Sequence, residues 1–103
     1  MDLELTKRSA LVTGSSAGLG AEIARTLARE GAHVLVHGRD AARVRAVVGD
    51  IRVTGAEAAG VTGDLATDEG AGRVFAEAAA AFGGIDILVN NAGSYAAAPW
   101  FET

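Results

Sequence analysis

Residues 13–20 read TGSSAGLG, with three glycines in eight positions behind a short apolar run. Where such a loop leads from a strand into a helix, its backbone N–H groups and the positive end of the helix dipole form a place for a phosphate. Each glycine has a task there. Gly14 permits the sharp turn off the strand, Gly18 lets a phosphate approach the backbone with no Cβ in the way, and Gly20 lets the helix pack close to the strand. Ser15 and Ser16 add hydroxyls, and Ala17 and Leu19 complete the stretch. The spacing, G-x-x-x-G-x-G, departs from the G-x-G-x-x-G fingerprint, and no Gly-Lys-Ser/Thr follows to make a P-loop.

The elements around the loop supply the context it needs. Ala10–Thr13 reads as a strand buried on both faces. From Leu19 to Glu30, Ile23 and Leu27, like Ala24 and Ala28, lie four apart opposite a charged side, which predicts an amphipathic helix ended by Gly31. His33–His37 (HVLVH) is a second strand. Asp40 can cap a helix with Val44, Val47, Val48 and Ile51 on one face, closed by Gly55 and weakened by Gly49 by about 1 kcal/mol relative to alanine. Ala58–Thr62 is expected as a third strand. Thr67 or Asp68 can cap a third helix with Phe75, Ala78, Ala79 and Phe82 as its stripe, and Ile85–Val89 is a fourth strand. The order β-α-β-α-β-α-β with short connections predicts an α/β fold, a doubly wound parallel sheet of Rossmann type. Residues 1–103 are expected to form one half-domain, incomplete at its C-terminal side.

Composition narrows the function classes. A net charge of −4, with eight arginines and one lysine spread along the first three quarters of the chain, argues against a nucleic-acid partner. Cysteine is absent, so no disulfide framework or thiolate metal site is expected. The charged start MDLELTKR does not read as a leader, and apolar runs are far shorter than the ~20 residues of a membrane span. A cytoplasmic protein that neither binds metal nor contacts a membrane is expected.

Three motifs in order, TGSSAGLG at 13–20, Asp64-Leu65 after the third strand and NNAG at 90–93, together resemble the short-chain dehydrogenase/reductase family, particularly its ketoacyl-reductase-like members. The resemblance runs from about Lys7 to Gly93. It implies that Gly14 to Gly20 cover a pyrophosphate and that Asp64 and the Leu65 amide meet adenine. It further implies that Asn90, Ala92 and Gly93 border the ribose and nicotinamide. From the residues alone, Asp64 is equally suited to cap a helix, and Asn90 and Asn91 to clasp neighbouring strand ends.

An NAD-binding domain usually carries an acidic side chain at the end of the second strand for the ribose hydroxyls. Gly38 stands there, followed by Arg39, whose planar fork suits a phosphate. Both features favour NADP over NAD, although Arg39 is also placed to pair with Asp40 or Asp68. His33 and His37 read as packed or solvated strand-end residues.

The resemblance also implies a tyrosine acid/base with a lysine four residues later, and a serine that orients substrate. No Tyr-x-x-x-Lys occurs in these 103 residues, and four positions after Tyr95 stands Pro99. Ser94 and Tyr95 read as loop residues, so no catalytic residue is assigned. The chain is expected to be the cofactor-binding first half of an NADP(H)-dependent oxidoreductase, inactive alone. A stand-alone dinucleotide-binding or interaction module is the alternative. A methyltransferase would want the missing acidic residue at the second strand's end. In a sheet ordered 3-2-1-4, the fourth strand is an apolar edge, so association with a second copy, or with a chain supplying the other half, is expected.

Overall fold

The computed structural model describes residues 5–91. Four parallel strands, β1 (Ser9–Thr13), β2 (His33–Gly38), β3 (Ala58–Thr62) and β4 (Ile87–Asn90), alternate with helices α1 (Gly18–Arg29), α2 (Ala41–Val53) and α3 (Asp68–Ala81). The sheet order is β3-β2-β1-β4. This is the doubly wound α/β arrangement expected from the alternation.

β1 is buried along its whole length and β2 nearly so, because each lies between two other strands and under helices on both faces. Leu11 and Val12 pair with Leu35 and Val36 on one side and with Leu88 and Val89 on the other. Side-chain alternation then splits the core into two layers. Val12, Val34 and Val36 pack with residues of α1 and α2, whereas Leu11, Leu35 and Val61 pack with Val74 and Ala78 of α3.

The helix faces follow the expected periodicity with two shifts in emphasis. Val44, Val47, Val48 and Ile51 are all buried, as anticipated for α2. In α1 the residues in the tightest contact are Gly20, Ala21, Ala24 and Ala28, while Ile23 and Leu27 are only partly buried. Small residues let the helix axis come close to the sheet, and the larger side chains fill its flanks. In α3 the buried residues are Ala78, as expected, and Val74, which lay outside the expected stripe, with Phe75 and Phe82 at the margin. Among the described residues, α3 is the helix that covers this layer of the core.

Capping separates the helices. The Asp40 carboxylate accepts from the amides of Ala42 and Arg43 at 2.9 and 3.3 Å, and the Thr67 hydroxyl accepts from Gly70 N at 3.0 Å. No side chain caps α1, whose N-cap is Ala17. β4 begins two residues later than the apolar run suggests. Asp86 is held at the sheet's lower end, its carboxylate accepting from Ser9 N at 2.8 Å and its own amide donating to Ser9 O at 2.9 Å. Ile85 packs instead with the α3-side cluster.

Candidate cofactor site

Parallel strands deliver their C-terminal ends to one side of the sheet, and the loops leaving β1, β2 and β3 meet there around a cavity of about 610 Å3. The loop after β1 contributes Gly14 and Ser16, and the segment from β2 into α2 contributes His37, Gly38, Arg39, Asp40 and Arg43. Asp64, Leu65 and Ala66 come from the loop after β3.

The glycines of the first loop do three different things. Gly14 has φ +63° at the turn off β1. Gly18 has φ +58°, and a Cβ built on it would meet nothing within 4 Å, so this position faces open space. A Cβ on Gly20 would run into the Gly14 carbonyl oxygen and come within 2.7 Å of Asn91 Nδ2. Leu19, 70% exposed, stands out at the head of α1. With no side chain capping that helix, its first-turn amides and dipole are presented toward the same open side.

Gly38 is a steric requirement. A Cβ there would lie 2.5 Å from Ser16 Oγ and 2.7 Å from Ser16 Cβ. Ser16 therefore fills the space an acidic side chain would need. Arg39 is exposed at the cavity mouth, its Nη1 3.9 Å from Asp64 Oδ2. Of the pairings expected for it, neither Asp40 nor Asp68 forms; Asp40 is engaged by Arg43 Nε at 3.6 Å. An exposed pair at that distance holds Arg39 weakly.

Other expected site residues divide. Ser15 is fully buried, and its hydroxyl donates to Val12 O at 2.6 Å and accepts from His37 N at 2.9 Å. The hydroxyl expected to serve a phosphate is thus committed inside the fold, because the turn at Gly14 carries Ser15 back over the ends of β1 and β2. Asp64 does not cap α3. Its Oδ1 accepts from Ala66 N at 2.8 Å, folding the turn that sets Leu65 against the cavity. Asn90 and Asn91 form a clasp. The Thr13 hydroxyl donates to Asn90 Oδ1 at 3.1 Å and accepts from Asn91 N at 3.0 Å, and Asn91 Nδ2 donates to Gly14 O at 3.0 Å. Ala92, Gly93, Ser94 and Tyr95 lie outside the described residues.

Arg43 and His37, both lining the cavity, were not singled out for the site from the sequence. Arg43, in the first turn of α2 and four residues beyond Arg39, brings a second guanidinium to the cavity. His37 is only 3% exposed and lies beneath the cavity. Its signal was a polar residue closing an otherwise apolar strand. Among the described residues no cluster of metal-ligating side chains occurs, and no helix is long and apolar enough to cross a membrane.

Residues 8–103 match the profile of the short chain dehydrogenase family. The uncharacterized oxidoreductase YvaG of Bacillus subtilis (strain 168) is 39% identical over 104 residues, covering 99% of this chain and 38% of that protein. The 3-oxoacyl-[acyl-carrier-protein] reductase FabG of Aquifex aeolicus is 40% identical over 90% of this chain and 38% of its own length. Among solved structures, L-sorbose reductase from Gluconobacter frateurii, complexed with NADPH and L-sorbose, superposes with a TM-score of 0.86 at 39% identity, covering 91% of this chain and 36% of that one. The chain spans little more than a third of the length of these proteins.

Proposed function

The chain belongs to the short-chain dehydrogenase family, and from that premise we propose that it binds NADP(H) across the loops after β1, β2 and β3. In this reading it serves an oxidoreductase that moves hydride between nicotinamide and a carbonyl or alcohol. The observation that carries the choice of cofactor is the pair Gly38–Arg39: no room for a carboxylate at the strand end, and a weakly held guanidinium at the cavity mouth. The rest of the site fits the group. Gly18 faces open space, and the amides at the head of α1 are left without a side-chain cap, which suits a pyrophosphate. The NADPH complex of the similar L-sorbose reductase supports the same reading.

When bound, the nicotinamide supplies the hydride chemistry. The residues of this chain bind and orient. Gly14 to Gly20 receive the pyrophosphate, Arg39 with Arg43 the 2′-phosphate, and Asp64 and Leu65 the adenine. Asn90, Ala92 and Gly93 border the nicotinamide side. Since no Tyr-x-x-x-Lys occurs in the 103 residues, proton transfer to the substrate is assigned to residues that this sequence does not supply.

Arg39 gives the direct test. Charge-assisted bonds to a 2′-phosphate are worth about 1.5–3 kcal/mol, a preference for NADPH over NADH of roughly ten- to a hundredfold. Breaking the exposed contact to Asp64 subtracts little from this. Titration calorimetry on the parent and Arg39→Ala should show the preference and then its loss. Equal dissociation constants for the two cofactors in the parent would remove the NADP assignment.

The reading extends to assembly. Among the described residues β4 pairs only with β1, and Leu88 is 49% exposed. We assign its free edge to a further strand, from a second copy or from a chain completing the sheet. Sedimentation of the 103-residue protein alone should show association rising with concentration. A monodisperse monomer with a cooperative thermal transition would favour a self-sufficient binding module instead.

A further inference from the structure

The cofactor reading leaves one buried titratable side chain without a task. His37 closes β2 on the α3 side of the sheet. Its Nδ1 accepts from Gly14 N at 2.9 Å, and its Nε2 lies 2.9 Å from Gly63 O. A backbone N–H can only donate and a carbonyl can only accept, so these partners dictate one form of the ring: neutral, with its hydrogen on Nε2. The two backbone groups lie in different loops. Gly14 opens the glycine loop after β1, and Gly63 leads to Asp64 and Leu65 after β3. One imidazole therefore ties the proposed pyrophosphate end of the cavity to its proposed adenine end.

We propose that His37 is a positioning residue, a neutral latch that holds the loop after β1 in register with the loop after β3. Its consequence for NADP(H) rests on the binding reading above. Gain of a proton would put an N–H of the ring against the Gly14 N–H. Gly14 would lose its acceptor, and the loop would be released. The charged side chains sharing the cavity are Arg39, Asp40, Arg43 and Asp64. From α3 comes Arg73, which donates to Thr62 O at 3.3 Å and lies 3.9 Å from Glu77. Both contacts of the ring itself are to backbone groups.

The chain has two histidines, so His33→Gln leaves His37 as the sole imidazole signal. In the unliganded chain, nitrogen-detected spectra should show the Nε2–H tautomer at neutral pH. In the same spectra His37→Asn, whose amide oxygen can still accept from Gly14, should leave the Gly14 amide signal near its parent position, and His37→Leu, which offers Gly14 no acceptor, should shift it. The Nδ1–H tautomer, or a Gly14 signal indifferent to His37→Leu, would overturn the latch whatever the chain binds. With NADPH as the probe, His37→Leu should bind about tenfold more weakly than the parent, and His37→Asn should recover most of that loss. Equal affinities of the parent and His37→Leu would overturn the consequence for the cofactor. Failure of the parent and both variants to bind NADPH would instead remove the binding reading, with the latch still decided by the spectra.

Discussion

Gly20→Val should destabilise the fold by about 3 kcal/mol, the upper range for overpacking a tight contact. Valine's Cβ would run into the Gly14 carbonyl oxygen and come within 2.9 Å of Gly14 C. That carbonyl cannot swing away cheaply, because it accepts from Asn91 Nδ2 and the preceding Thr13 is tied to Asn90 and Asn91. The smaller change, Gly20→Ala, sets two effects against each other. Alanine gains about 1 kcal/mol in helix propensity, whereas the same Cβ meets backbone at a distance real contacts do not show, at a cost of about 1–3 kcal/mol. The clash should win. Thermal unfolding followed by circular dichroism should therefore place both variants below the parent, with valine lowest by about 10 °C or more, given 4–8 °C per kcal/mol in a domain of this size. An alanine variant as stable as the parent would mean that α1 does not approach the strand end so closely.

Gly18→Val should act on the opposite quantity, reducing NADPH affinity by about two orders of magnitude. A Cβ at this position meets no atom of the protein, so the branch would project into the space assigned to the pyrophosphate. Two charge-assisted bonds lost from the loop amides amount to about 3 kcal/mol or more. The fold does not escape free of charge, because φ is +58° here and a β-branched residue in the left-handed region costs about 1–2 kcal/mol. Gly18→Asn separates the two effects. Asparagine tolerates this conformation but still places a side chain in the phosphate's path. It should melt near the parent while binding NADPH far more weakly. Calorimetry showing parent-like affinity in both variants would reduce the loop to a turn and remove the binding site from it.

What local chemistry dictates was legible in the sequence. The apolar runs of β1 and β2, the stripe of Val44, Val47, Val48 and Ile51, the cap at Asp40 and the order of alternating elements depend on neighbours a few residues away, and the structure follows them. The roles read for Gly14 and Gly20 also agree with the geometry, because a positive φ and a close helix approach are properties of the strand–loop–helix unit itself. Only the tertiary structure could decide contacts between residues distant in sequence. Ser15 looked like a phosphate donor and is committed to Val12 and His37. His37 looked like a bystander and bridges Gly14 and Gly63, 23 and 26 residues away. Arg39 pairs with Asp64 rather than with nearby Asp40. Val74 with Ala78, rather than the phenylalanines, makes the buried centre of α3, because the rotation of a helix is set by the layer it must cover. In each case a side chain's polarity was visible from its type, but its partner was fixed only when strands far apart in the chain came into register.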